Sequence, residues 1–261
     1  KVYPDYQPVC WIWTKQHGTH GNQTVTDAIT NSCNYFFYDV GRQMGIDTLD
    51  EYAKKFGLGE YTGIELSSEE SKGRLAGPED RKAFSGEQWR GGDTLQAAIG
   101  QSENLFTPIQ LANYLSTVVN GGTRYKPHLV KAVRSSVDGK LVMEKEPEVI
   151  EKIEIKPENL EAVMKGMLGV TENGTASSVF HNYPIKVGGK TGSAQVSRGS
   201  DNGVFVGFAP FDQPEIAVAV VVEHGNTGSD VAPIAQAVFN QYFLKSQPDD
   251  SANSASGVLI P

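Results

Sequence analysis

Three apolar segments near the end of the chain constrain its fold more than any other feature. "PIKVGGKTGSAQV" (184 to 196), "GVFVGFAPF" (203 to 211) and "EIAVAVVVE" (215 to 223) are parted by short turns bearing Gly, Asn, Asp or Pro. Turns that short suit strands that double back on one another, so the segments predict an antiparallel meander. One face of such a sheet needs a cover, and the helical patterns on either side supply it. The expected class is α+β, an antiparallel sheet with packed helices.

The helical patterns are read from period and caps. Val25, Ile29, Phe36, Val40 and Met44 share a face of a helix over 25 to 44, with a break near Ser32. Asp47 is the expected N-cap of a helix carrying Leu49, Tyr52, Ala53 and Phe56 on one stripe and ending at Gly57. Thr107, Pro108 and Gln110 form a capping box with proline at the first position, opening a helix that stops at "NGG" (120 to 122). Further helices are expected over 157 to 168 and 231 to 244. Residues 1 to 245 then form one domain portion, and the small, polar run 246 to 261 is expected to be a disordered tail.

Charge and hydropathy exclude two partner classes. A formal net charge of -8 over 261 residues, with no basic stripe, argues against nucleic acid. The longest apolar run, "IAVAVVV" (216 to 222), is far short of the ~20 residues a membrane helix needs. The chain opens within an aromatic-rich stretch, "KVYPDYQPVCWIW", which reads as a cut and not as a natural start. Cys10 and Cys33 read either as two small buried thiols or, in an oxidising compartment, as a disulfide.

The segment "VGGKTGSAQV" (187 to 196) raises the chemical question. Glycines weaken a strand and persist mainly where another backbone or a ligand comes close. At a sheet edge an extended peptide could add beside Gly192, with Lys190 and the hydroxyls of Thr191 and Ser193 holding a carboxylate. A glycine-rich strand with a solvated lysine is the plainer alternative. In "NSCNYFF" (31 to 37), Ser32 and Asn34 could face one cleft while Cys33 turns inward, or could simply cap a helix. Ser102 and Asn104 in "QSENL" repeat the same spacing.

Other chemistries fail on spacing. His17, His20, His128, His181 and His224 include no HExxH and have no cysteine pair beside them in sequence, so no metal site is expected and loop histidines in solvent are. The four-residue spacer of a nucleotide P-loop and a GxSxG elbow are both absent, and no cofactor is expected.

Taken in order, S-x-N at Ser32 to Asn34 and K-T-G at Lys190 to Gly192 resemble two of the three motifs of penicillin-binding proteins and serine β-lactamases. "FGLGEYTGIEL" (56 to 66), "WRGGDTLQAAIGQ" (89 to 101), "TPIQLA" (107 to 112), "NGTA" (173 to 176), "GGKTGSAQ" (188 to 195), "FVGFAP" (205 to 210) and "VVEHG" (221 to 225) extend the resemblance to class B penicillin-binding proteins of the elongation type.

The resemblance implies the penicillin-binding-protein/serine β-lactamase-like transpeptidase fold and peptidoglycan D,D-transpeptidation through a serine acyl-enzyme. It implies that Ser32 joins a proton relay, Asn34 binds the substrate amide, Lys190 supplies positive potential and Thr191 binds the terminal carboxylate. Gly192 would admit the peptide, and the backbone N–H of Ser193 would form half of an oxyanion hole. Implied partners are the peptidoglycan stem peptide, β-lactams and a SEDS-type glycan polymerase, at the extracytoplasmic face of a bacterial membrane with an anchor outside this chain. A β-lactam sensor domain or a β-lactamase of the same superfamily would share both motifs, but "WRGGDT" and "VVEHG" favour the transpeptidase. A non-catalytic peptide-binding module is a further alternative.

One departure outweighs these matches. The first family motif, S-x-x-K, should precede Ser32, yet no serine does, and no serine of the chain has a lysine three positions on. The expectation is a C-terminal portion of a transpeptidase domain, lacking its N-terminal part and unable to acylate alone. Ser102 also stands where many relatives carry glycine. The "EIAVAVVVE" strand would then present an open apolar edge, through which the fragment is expected to dimerise.

Overall fold

In a computed structural model, residues 6–244 are described. The expected tail and residue 245 lie outside the described residues. Helix α1 (Trp11–Gln16) comes first, then α2 (Val25–Thr30) and α3 (Asn34–Met44), which meet at the expected break around Ser32. Thr24 and Asp27 close a capping box at the start of α2. Helix α4 (Ile46–Lys55) starts one residue earlier than Asp47 would dictate. Its N-cap is Gly45 at φ 78°, a turn that glycine makes freely, and Asp47 lies in the first helical turn, where a carboxylate favours the helix dipole.

Helices α5 (Pro78–Ser85) and α6 (Gly91–Ala98) precede α7 (Pro108–Val119), which carries the expected Thr107 and Gln110 capping box. Two small ribbons follow that the sequence did not announce. Strand β1 (Thr123–Tyr125) pairs with β4 (Val149–Lys152), and β2 (Ala132–Arg134) with β3 (Leu141–Glu144), all antiparallel. Strands of three or four residues are too short for alternation to register, and β2 and β3 are exposed throughout.

Helix α8 (Pro157–Glu172) runs a turn beyond Leu168, because Gly169 does not end it. A Cβ there would meet Thr30 Oγ1 at 2.2 Å, so this glycine serves the contact with α2. After the short α9 (Ser177–Phe180) come the three meander strands, β5 (Gly188–Ala194), β6 (Asn202–Ala209) and β7 (Ile216–Val222), in the order β5-β6-β7. Helix α10 (Gly228–Phe239) begins three residues earlier than expected, because Thr227 and Asp230 form a capping box, and Asn240–Leu244 continue as a π-helical turn.

Helices α7, α8 and α10 pack on this sheet, as the α+β expectation required. The core gathers Val170, Val187, Phe205, Phe208, Ala232, Ala235 and Phe239, all essentially inaccessible to water. Phe180 of α9 stacks on Phe205 with ring centroids 5.6 Å apart.

The glycines of β5 serve that core more than they serve an entering peptide. A Cβ at Gly188 would stand 2.3 Å from the ring of Phe208, and one at Gly189 would stand 2.7 Å from Phe205. A Cβ at Gly192 would meet Val204 at 3.4 Å, an ordinary contact. The expectation that these glycines admit a ligand is therefore corrected for Gly188 and Gly189, which make room for two phenylalanines from β6.

Candidate active site

The break between α2 and α3 sets the position of Ser32. Its φ of 50° lies in the left-handed region, costly by about 1–2 kcal/mol for a residue with a Cβ, so neighbouring groups must hold it. The Ser32 amide donates to Ile29 O (3.2 Å), and the Cys33 amide to Ala28 O (2.9 Å). From α1, the indole N–H of Trp11 donates to the carbonyls of both Asn31 (3.1 Å) and Ser32 (3.0 Å). The aromatic opening segment thus braces the serine turn from behind, a role that sequence reasoning missed.

Facing the serine turn, β5 is an edge strand, with β6 on one side and no strand on the other among the described residues. Lys190 Nζ donates to Ser32 Oγ (2.8 Å) and to the carbonyl of Thr191 (2.8 Å). No carboxylate among the described residues forms an ion pair with this ammonium. Burial therefore acts unopposed and pushes Lys190 down to about 8. Because Lys190 donates to Ser32, the hydroxyl proton of Ser32 is free to point toward a third group.

Thr191 Oγ1 lies 2.6 Å from Thr175 Oγ1, and Ser229 Oγ donates to the carbonyl of Thr175 (2.5 Å). Thr175 falls in "NGTA", where only its proximity to Thr191 in space marks it. Ser193 is exposed on the same strand, beyond Gly192. Asn34 is the first residue of α3 and half-buried, one helical turn before the buried Tyr38. The structure thus brings Ser32, Lys190 and Thr191 into one bonded group. Asn34, Gly192 and Ser193 adjoin it in sequence without joining it through the hydrogen bonds described.

Ser102 and Asn104, the repeat of the S-x-N spacing, are structural. Asn104 accepts from the Ala76 amide (2.9 Å) and donates to Ala97 O (3.2 Å).

The expectation that no histidine has a cysteine pair nearby is corrected in space. Cys10, His20 and Cys33 place their donor atoms within 4.8 Å of one another, with Cys10 Sγ 3.6 Å from His20 Nδ1. The loop after α1 folds back, half-burying His20 against Trp11 with ring centroids 5.4 Å apart. Both cysteines are free and buried. The two thiols influence each other's titration: the neighbouring Cys33 holds Cys10 well below its ordinary value, and the neighbouring Cys10 together with burial raises Cys33. Two sulfurs and one imidazole form a soft donor set of the kind that holds zinc.

The chain belongs to the penicillin-binding protein transpeptidase family: the model of the "Penicillin binding protein transpeptidase domain" matches residues 3–243. Within that family it is similar to PBP2-type members of class B. It is 34% identical over 260 residues to the "Peptidoglycan D,D-transpeptidase MrdA" of Acinetobacter baumannii, covering 90% of this chain and 37% of that protein's length. It superposes on PBP2 of Pseudomonas aeruginosa, in complex with WCK 5153, with a TM-score of 0.79 and 32% identity, covering 94% of this chain and 54% of that one. A structure titled "Structural coordination of polymerization and crosslinking by a peptidoglycan synthase complex" matches with a TM-score of 0.75 and 32% identity, covering 88% of this chain and 39% of that one.

Proposed function

We propose that this chain supplies the substrate-binding half of a peptidoglycan D,D-transpeptidase. The observation that carries the reading is the Lys190 Nζ to Ser32 Oγ bond, formed between residues 158 positions apart. Such a bond makes a proton relay. The ammonium donates to Ser32, whose own hydroxyl can then donate to the amine leaving a scissile peptide.

The desolvated Lys190 gives positive potential beside the edge of β5, and Thr191, steadied by Thr175, offers a hydroxyl to a substrate carboxylate. Asn34, at the start of α3 two residues after Ser32, binds the substrate amide. Gly192 leaves the strand edge clear of a side chain, and the main-chain N–H of Ser193 stabilises the oxyanion of the tetrahedral intermediate. The nucleophile is supplied from outside these 261 residues, since no serine here has a lysine three positions on.

The work is placed at the extracytoplasmic face of a bacterial membrane, alongside a glycan polymerase. The pairing with a polymerase is supported by the matched peptidoglycan synthase complex, which coordinates polymerization and crosslinking. No helix among the described residues is long and apolar enough to cross a membrane.

Intact-mass spectrometry after incubation with a penicillin tests the reading. This chain alone is expected to gain no adduct, and the longer protein carrying an S-x-x-K segment is expected to gain one per molecule. In that longer protein Lys190→Ala and Ser32→Ala should slow acylation. A stoichiometric adduct on this chain would place the nucleophile within it and overturn the assignment of roles.

A further inference from the structure

Gln101 reaches from the turn after α6 to the edge of β5. Gly100 and Ser102 on either side take left-handed backbone, with φ of 81° and 65°, so the chain turns sharply before and after it. Arg81 anchors this turn: its Nη2 lies 3.3 Å from Ser102 Oγ and 2.5 Å from Glu103 Oε1, and its Nη1 lies 2.7 Å from Asp93 Oδ2. The Gln101 amide donates to Gln96 O (3.0 Å). From this fixed base the side chain makes two bonds to the strand. Nε2 donates to Ser193 O (2.8 Å), and Oε1 accepts from the Gln195 amide (3.3 Å).

These contacts fix which peptide groups of β5 face the open edge. The carbonyl of Val187 accepts from Thr171 Oγ1, that of Thr191 from Lys190 and that of Ser193 from Gln101, while the Gln195 N–H points to Gln101. All four are odd-numbered, and residues of an antiparallel strand present their main-chain groups alternately to one side and the other. Ser193 therefore offers both its N–H and its C=O to the edge. A carboxamide carries the same donor and acceptor as a peptide unit. Gln101 thus holds the Ser193 carbonyl that the N–H of an added strand would use, and takes up the Gln195 N–H beside it.

We propose that Gln101 is a specificity-determining placeholder on the substrate edge: an entering peptide pairs with Ser193 by displacing the Gln101 carboxamide. The inference rests on the transpeptidase reading and deepens it. The ligand class is an extended peptide with a main-chain N–H opposite Ser193 O and a C-terminal carboxylate toward Lys190. A ligand without that N–H loses the Gln101 bond and gains none.

The test is a nuclear magnetic resonance titration of the isotope-labelled 261-residue chain with N,N′-diacetyl-L-Lys-D-Ala-D-Ala. The expected result is that the Gln101 side-chain amide and the Gln195 N–H shift together with the Ser193 N–H. Gln101→Ala should bind the peptide about two- to tenfold more tightly, the scale of one displaced hydrogen bond. Gln101→Asn, one methylene short of the strand, should do the same and guards against misfolding of the alanine variant. Binding that is unchanged or weaker in both variants overturns the proposal. So do Gln101 and Gln195 signals that stay fixed while Ser193 shifts. If neither the parent nor the variants bind and Ser193 does not move, the transpeptidase reading itself fails and the placeholder falls with it.

Discussion

Lys190 Nζ stands 2.8 Å from Ser32 Oγ, and the lysine has no carboxylate ion pair among the described residues. The serine turn and the edge strand are thereby joined by a donor that is poorly solvated and only weakly committed to its proton.

Lys190 falls from an ordinary 10.5 to about 8 in the folded chain. A base depressed by folding costs stability while charged, so the penalty is full below about 8 and is lifted as pH rises toward 10.5. Relative to Lys190→Met, the parent should gain on the order of 1–3 kcal/mol between pH 8 and 10.5, measured by urea unfolding. A difference that does not change over that range would contradict the desolvated lysine. Carboxylate peptide affinity should fall as pH passes about 8, where the ammonium is lost.

The glycines of β5 should separate by role. Gly188→Ala and Gly189→Ala drive a methyl into Phe208 and Phe205, and each should cost about 1–3 kcal/mol of overpacking. Gly192→Ala meets Val204 at 3.4 Å and should change stability by less than about 1 kcal/mol. Chemical denaturation of the three variants decides this, and equal losses at all three positions would reject the distinction.

The sulfur and imidazole cluster should bind a soft divalent ion. Native mass spectrometry with added Zn²⁺ is expected to show one ion per chain, lost in Cys33→Ser and restored to apo mass by a chelator. Cys10 and Cys33 should react slowly with an alkylating agent when the ion is present. One ion retained by Cys33→Ser would place it elsewhere.

Strand β7 pairs with β6 alone among the described residues, leaving its other edge without a strand partner. An edge carrying Ile216, Val218, Val220 and Val222 invites pairing with a second chain. Sedimentation should show self-association that grows with concentration. A monomer at every concentration would remove this expectation.

Much of the fold was legible locally. The capping box at Thr107, the break at Ser32 and the turns between the meander strands are short-range signals, written within a few residues of where they act. The two ribbons at 123 to 152 were not, because strands of three or four residues carry too little alternation to stand out. Helix α8 ran past Gly169 because the contact with Thr30 on α2, invisible in sequence, offset the weak helical preference of glycine.

By itself the sequence determined where the capped helices and the meander lie and which residue types could do chemistry, including the S-x-N and K-T-G stretches. Tertiary structure alone decided which of them meet. It put Lys190 on Ser32, Thr175 on Thr191, Gln101 on the edge of β5, and His20 beside two cysteines. It also gave Gly188 and Gly189 to the packing of two phenylalanines. The physical reason is range. Caps and periods follow from hydrogen bonds and side-chain burial within a few turns of chain, whereas a side chain reaching across 158 residues depends on how whole layers pack, and no local pattern records that.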